Sequence, residues 1–429
     1  MRKLLHAMTV ATLLSTASAA RAETPAAPAA PAAPKSDGLT FSIGDASIKF
    51  YGFARLDMHF DDSHPNNTHL IYCIPSEDPN APAGIGEDKN SHNFTMHAKL
   101  TRLGLDVSSP PIGKLGDATI MGRIEIDFLA EENVRTTRPL PRLRLAYAKL
   151  AWDDLSILVG QEWDVFAPLV PEVSGEFVLW GAGNVGDRRP MLRVDYTPKL
   201  GGDQLFLQGA VGLSGGIDNQ NLDGTTSPYV DGESSGLPCF EGRIGYKGGH
   251  VWLEKKFWQA GVWGYYAQER LEDPLPAGYT EDRYTANVVG LDATLPILDM
   301  LDVRGEAWVG KNVNDIRGGI LQGVSTVDGG QEIKSRGYWA EVVVRSCDWH
   351  ALHVGASRDN PDDRDLAATS GTTIPTGAKD NRVLYICNRF NLGGGVKVGL
   401  DYLNWITQWR GDLDPGRDNR YSMFFMYAF

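Results

Sequence analysis

From residue 45 onward, hydrophobic and polar positions alternate with a period of two. The alternation is clearest near residues 47–60. There Phe50, Gly52, Ala54, Leu56, Met58 and Phe60 share one side of an extended chain, and Lys49, Tyr51, Arg55, Asp57 and His59 share the other. The same split recurs in Ile120/Gly122/Ile124/Ile126/Phe128 against Arg123/Glu125/Asp127, and in Leu192/Val194/Tyr196 against Arg193/Asp195. It returns in Val303/Gly305/Ala307/Val309 against Arg304/Glu306, and in Tyr338/Ala340/Val342/Val344 against Glu341/Arg345. Successive side chains of a strand point to opposite faces, so this pattern predicts strands with one apolar and one charged face.

Sixteen such stretches can be marked, near 47–60, 95–108, 117–130, 140–152, 154–164, 190–198, 203–215, 238–247, 256–270, 283–296, 299–311, 336–346, 349–358, 381–391, 394–408 and 418–429. Two of them, 154–164 and 381–391, leave their inward face undecided. Long connections (61–94, 165–189, 216–237, 312–335, 359–380) alternate with tight ones such as 152–154, 198–203 and 391–395. The connection at 247–256 is the least regular of the tight set. A soluble sandwich has no reason to keep that alternation. A transmembrane antiparallel up-and-down β-barrel does: long loops on one rim, short turns and both termini on the other, and an even strand number. Glycines and alanines on the apolar face also fit, since lipid fills gaps that a packed core would leave as cavities.

The last stretch sharpens this expectation. Tyr421, Met423, Phe425, Tyr427 and Phe429 occupy alternate positions of 420–429. As a soluble edge strand that apolar face is a liability; as the strand that closes a barrel it meets lipid. An aromatic end of this kind, with Phe429 and Tyr427 as its key residues, resembles the terminal signal read by the outer-membrane barrel assembly machinery.

Composition narrows the class. Residues 1–22 carry Arg2 and Lys3, a short apolar run and Ala20-Arg21-Ala22, the makings of an export signal peptide. Residues 23–44 read as a Pro/Ala-rich periplasmic linker, and 45–429 as the barrel domain. No apolar run is long enough for a spanning helix. Loss of Arg2, Lys3 and Arg21 takes the formal charge from -13 to -16. Such an acidic chain argues against nucleic acid as a partner. Export permits disulfides, and a bridge between Cys73 and Cys239, both in or beside long loops of one rim, is sterically allowed.

No cofactor, metal or catalytic constellation is predicted. Gly181–Gly186 has the spacing GxGxxG, but Arg188-Arg189-Pro190 and a strand follow where a phosphate-binding helix would have to begin. His59, His64, His69, His92 and His97 lack metal-site spacing, and the acidic run 358–365 lacks a calcium-loop pattern. The informative charges are arginines: Arg55, Arg102, Arg123, Arg142, Arg144 and Arg193 all fall on the first six strands. An arginine facing lipid at mid-membrane costs about 2–4 kcal/mol, which sends these side chains into the lumen. Asp57, Asp106, Glu125, Asp127 and Asp195 are interleaved with them. The arginines therefore either neutralise those acids across strands or select solutes, and the two roles are compatible.

Several segments resemble the DcaP-like trimeric outer-membrane porins. They are Arg142-Leu143-Arg144-Leu145-Ala146-Tyr147, Val159-Gly160-Gln161-Glu162-Trp163 with Phe166, Trp180–Gly183 leading to Arg188–Arg193, Leu400-Asp401-Tyr402, and Phe429. The resemblance implies a homotrimer of sixteen-stranded barrels in outer-membrane lipid, with the third long loop folded inward to narrow the pore. It also implies a preference for small hydrophilic anions of the dicarboxylate kind. Many members carry a helical segment before the barrel, where this chain has its Pro/Ala stretch. On this reading Glu172, Glu176, Arg188 and Arg189 belong to the constriction loop and face the arginine wall across the water path. Two other classes stay open: a non-conducting surface or adhesion barrel, and a secreted soluble all-β binding protein or enzyme.

Overall fold

Sixteen strands form a single closed antiparallel sheet in the computed structural model. It describes residues 39–429 except 83, 87–90, 131–136, 218–221, 223–228, 250–252, 254–255 and 371–375. In chain order the strands are β1 (Ala46–Asp61), β2 (Asn93–His97, resumed as Arg102–Ser108), β3 (Thr119–Asp127), β4 (Arg142–Ala151), β5 (Leu155–Trp163) and β6 (Arg188–Tyr196). Next come β7 (Asp203–Gly212), β8 (Cys239–Gly249), β9 (Phe257–Arg270), β10 (Arg283–Leu298) and β11 (Leu301–Lys311). The last five are β12 (Lys334–Cys347), β13 (His350–Pro361), β14 (Ala378–Gly393), β15 (Val396–Trp409) and β16 (Gly416–Ala428). Each pairs with its sequence neighbours, and β16 returns to β1 with Phe53 opposite Ala428 and Asp61 opposite Arg420. All sixteen expected strands are present, with ends shifted by a few residues. The connections at 62–92, 128–141, 164–187, 213–238, 271–282, 312–333, 362–377 and 410–415 (L1 to L8) share one rim.

Sequence chemistry explains the seams. β2 breaks at 98–101, where a turn replaces the ladder, and the Thr101 hydroxyl bridges the gap. It accepts from Arg55 N at 3.1 Å and donates to Arg55 O at 3.2 Å. At the closing seam Phe429 N donates to Gly52 O (3.0 Å), and the Phe429 ring stacks on Phe50 at 5.8 Å. The expected linker ends earlier than its assigned boundary at residue 44: Thr40–Ile43 is a short strand paired with Ala46–Lys49, so the barrel begins before residue 45. The proposed signal peptide and residues 23–38 lie outside the described residues.

The outward positions, such as Leu143, Val159, Leu192, Val262, Val289, Leu291 and Leu384, are exposed and apolar. The two undecided strands resolve: Ser156 and Leu158 of β5, and Val383, Tyr385 and Cys387 of β14, point inward. No helix among the described residues is long and apolar enough to cross a membrane; strands make the crossing.

The core is not the sheet interior alone. One apolar cluster joins Leu70, Ile71 and Ile74 of L1 and Phe177, Leu179 and Trp180 of L3 to Tyr385, Leu403 and Trp405 of the wall. A second joins Phe166 and Val185 of L3 and Val313 and Ile316 of L6 to Trp263, Tyr265, Val288 and Trp308. Three loops therefore pack into the lumen, against the aromatic inward face of β9–β15.

Candidate pore constriction

L3 leaves β5 and crosses the lumen, and carboxylates of the wall take up its backbone N–H groups in turn. Val165 N donates to Glu241 Oε2 (2.7 Å), Leu169 N to Glu306 Oε1 (2.8 Å), Glu172 N to Glu341 Oε2 (3.2 Å) and Ser174 N to Asp401 Oδ2 (2.5 Å). These acids come from β8, β11, β12 and β15. An irregular segment has no ladder of its own, so its N–H groups must find acceptors wherever it is buried. One inward acid from each of four wall strands supplies them.

The far end of L3 is fitted just as closely. Gly183 O accepts from Trp308 Nε1 (2.8 Å), and Gly183 has φ +121°. A Cβ there would stand 2.3 Å from Tyr338 O, so this position needs glycine both for its backbone angle and for the close approach. Asn381 Nδ2 donates to Gly181 O (2.6 Å), and Trp180 Nε1 donates to Gly186 O (2.8 Å). The GxGxxG spacing therefore marks a loop packed on a wall, with no helix following it.

Between these ends Glu176 reaches the arginine wall. Its Oε1 accepts from Arg142, Arg144 and Arg188, each at 2.8 Å. The pairs continue on both sides. Arg102 and Arg144 meet Glu125, Arg142 and Arg144 meet Asp127, and Arg188 and Arg317 meet Asp187. The result is one connected network of five arginines and four carboxylates, linking β2, β3, β4, β6, L3 and L6. Burial on its own would raise the Glu176 carboxyl, but Arg144, Arg188 and Arg142 outweigh it and hold it well below the usual carboxylate range.

The remaining expected residues are placed as follows. Arg55 pairs with Asp57 (2.6 Å), Arg123 with Asp106 (2.6 Å) and Arg193 with Asp195 (2.9 Å), all on the lumen side. Glu172 pairs with Arg389 of β14 at 2.9 Å, and Arg389 also bonds Asp401. Two expectations need correction. Arg188 and Arg189 begin β6 rather than lying in the loop. Arg189 is fully buried, bonded to Asp164 (2.7 Å) and Asp315 (3.0 Å), so it fastens the root of L3 instead of lining the water path. Glu176, too, touches the arginines directly, where loop acids were expected to face them across a gap.

Cys73 and Cys239 are not bridged. Cys73 packs beside Trp409 and Ile320, whereas Cys239 begins β8 beneath Arg189, in a different cluster. His59, His69 and His97 do gather, with ring centroids 5.6 and 4.4 Å apart, but no group of three metal-ligating side chains occurs among the described residues.

In part of the lumen pairs the arginine is the more exposed partner, whereas Arg123 and Asp106 are equally exposed and Glu172, at 44%, is more exposed than Arg389 at 14%. The Arg102 side chain is 25% exposed and its partner Glu125 7%; for Arg142 and Asp127 the values are 19% and 0%, and for Arg304 and Glu341 23% and 0%. Arg55/Asp57, Arg193/Asp195 and Arg389/Asp401 lean the same way. In these pairs the carboxylate is covered while an edge of the guanidinium stays in contact with water. Beside L3, against β5–β7, lies a cavity of about 310 Å³ lined by Trp163, Val165, Val170, Asp187, Arg193 and Gln208.

Sequence reasoning put Arg304 on a charged strand face without giving it a role, and missed Arg317, Arg389 and the plugging by L1 and L6. A signal was present: Trp263, Tyr265, Trp308, Trp339 and Trp405 sit at inward positions, where an unobstructed water-filled barrel would carry polar groups.

Sixteen antiparallel strands closed on themselves, apolar outside and charged within, with a loop strapped across the lumen, define a transmembrane barrel of outer-membrane porin architecture. No family model and no curated protein matches the chain. Among solved structures it is similar to the outer membrane channel DcaP of Acinetobacter baumannii (TM-score 0.67, 19% identity, 91% of this chain and 99% of that one). It is also similar to an anion-selective porin from Comamonas acidovorans (0.53, 12%, 90% and 100%) and to Salmonella typhi OmpF (0.51, 12%, 91% and 100%). At these identities the likeness is one of fold.

Proposed function

We propose that the protein is a passive diffusion channel of the bacterial outer membrane for small hydrophilic solutes, with anions preferred and small dicarboxylates the best fit. The observation that carries this reading is the unequal exposure within part of the lumen ion pairs. Pairing neutralises the wall on average, yet at Arg55, Arg102, Arg142, Arg193 and Arg304 the guanidinium is the side that water and solute meet. Arginine keeps its charge at any working pH and offers a carboxylate two parallel hydrogen bonds. Several weak sites in series let a solute enter and leave again. L3 narrows the path so that these charges act at short range, and the cavity at Arg193 and Gln208 lies against the strap. No nucleophile or energy source enters the scheme.

The same reading takes the barrel as one member of a homotrimer, with Phe429 read by the assembly machinery. Its similarity to an anion-selective porin and to the DcaP channel agrees with it. Replacing Arg55, Arg102 and Arg193 together by Gln tests it: in a salt gradient the reversal potential moves toward cations. The shift shrinks at high salt, since screening shortens from about 10 Å at 0.1 M to about 3 Å at 1 M. A wild-type reversal potential in the triple variant at low salt defeats the proposal. The packing of L1, L3 and L6 into the lumen favours a second reading, a barrel that does not conduct. Absence of single-channel events in the wild type decides for that one.

A further inference from the structure

The outer face of β11–β14 gathers cations near the long-loop rim, beside the opposed Arg270 and Arg283 of β9–β10, which have Asp282 next to them. Lys311 stands directly across from Lys334, and Arg358 directly across from Arg382, all on outward positions. Arg336 lies between these pairs, opposite Val309 on one side and Asn360 on the other. Like charges directly opposite one another on a sheet face are destabilising, and two such pairs on one face call for an anion.

The protein supplies only part of it. Lys311 pairs with Glu332 at 3.0 Å, and Arg358 and Arg382 share Asp380 at 2.7 and 2.5 Å. Arg336 is held only by the neutral Asn360, and Lys334 has no carboxylate in ion-pair range among the described residues. Arg364, with Asp362 and Asp363, completes the upper edge. The patch holds six cations against four carboxylates, on a chain whose formal charge is -13.

Shape adds to charge. Of these residues Lys311, Lys334, Arg336, Arg364, Asp362 and Asp363 border a groove of about 980 Å³ on the outer wall, four cations against two carboxylates, and its lower end is formed by the exposed Val289 and Val309. On the opposite side of the barrel, the outward positions at the long-loop ends of β2 and β4 are Phe94, Met96 and Leu143, with no cation among them.

We propose that this groove binds a phosphorylated glycolipid of the outer leaflet, of the lipopolysaccharide type. Lys334, Arg336 and Lys311 would hold its phosphates, and Val289 and Val309 would lie along its acyl chains. The long-loop rim of such a barrel lies at the outer surface, where those phosphates sit. Cations at that depth above an apolar band match a lipid headgroup better than a soluble anion, which has no use for the valines. The lumen plays no part, so the proposal stands apart from the channel reading.

The test uses the full chain, folded in detergent, with deep-rough lipopolysaccharide as the probe and its dephosphorylated form as the control. Binding is read by native mass spectrometry and by the shift in unfolding temperature. The wild type should retain the phosphorylated probe, release it as salt rises, and hold the dephosphorylated form roughly tenfold less well. The variant carrying Lys311→Gln, Lys334→Gln and Arg336→Gln should bind the phosphorylated probe about ten to a hundredfold more weakly, at about the strength expected for lost surface cations. Its single-channel conductance should be that of the wild type. Should the triple variant fail to fold, Arg336→Gln alone, an exposed change, should still weaken retention several-fold. Equal affinity of wild type and folded variant, or equal retention of both probe forms by the wild type, overturns the proposal.

Discussion

Replacing Glu176 by Gln separates the charge of the strap from its shape. The amide keeps an oxygen where Oε1 now accepts from Arg142, Arg144 and Arg188 at 2.8 Å, but the negative charge is gone. Glu125, Asp127 and Asp187 then face all five arginines of the network. Removing one partner of a buried pair costs about 3–5 kcal/mol. The lower figure suits this case, because Asp127 and Asp187 still hold Arg142 and Arg188 and the amide retains one bond. At about 1.4 kcal/mol per factor of ten, the balance between fastened and released strap moves by roughly a hundredfold. In planar bilayers the variant should show larger or longer-lived conductance states, and its reversal potential should shift toward anions. The pH dependence follows from the same contacts. In the released strap Glu176 has an ordinary carboxyl, near about 4.3; fastened, it is held well below the usual range. A depressed group contributes fully above its released value and loses that contribution as pH falls toward its fastened value. Wild-type conductance should thus be level between pH 7 and 5 as far as Glu176 is concerned, with release favoured only in stronger acid. Unchanged conductance and selectivity in Glu176→Gln would refute the fastening role.

Arg189→Met should lower the unfolding temperature sharply, because Asp164, Glu241 and Asp315 are left buried around an uncharged side chain. The loss should be of the same order, about 3–5 kcal/mol, and an unaltered melting curve contradicts it. Phe429→Ser, which removes the ring stacked on Phe50, should reduce folded, heat-modifiable protein in the outer membrane while leaving export intact; equal amounts count against the terminal signal. The Cys73 thiol is pushed up to about 12 by burial. Alkylation of the native chain should therefore spare Cys73, and unfolding without reductant should expose four reactive thiols. A Cys73–Cys239 bridge would lower that number.

Strand number, strand order and the inward face were legible because each rests on a local rule. Alternation fixes the face, and a charge cannot face lipid, so Arg55, Arg123 and Arg193 had one side available. The partners of those arginines within a strand or its neighbour, such as Asp57 and Asp195, were legible for the same reason. What escaped depends on contacts between segments far apart in sequence. Nothing local in Arg389 says that Glu172 lies against it, and nothing near Arg317 indicates Asp187. The doublet Arg188-Arg189 shows the limit best. Adjacent residues of one strand point opposite ways, yet both are buried, because L3 and L6 close over the strand where it starts. The tryptophans on the inward face were the one local trace of those loops.

The closing seam has a consequence for who owns an edge. β16 runs out at Gly52, while β1 begins at Ala46, so the first strand is longer than the strand that completes the ring. The uncovered length is taken by the chain's own upstream residues, Thr40 opposite Lys49 and Ile43 opposite Ala46, on the side that β16 would occupy if it continued. Leu39 O already holds Phe50 N. Thr40–Ile43 and β16 therefore share a single row of donors and acceptors on β1. Residues appended after Phe429 would meet Leu39 before they had paired with more than a residue or two. They would have to displace the hairpin or leave the sheet, which makes Thr40–Ile43 a stop that sets how far the last strand can slide during closure.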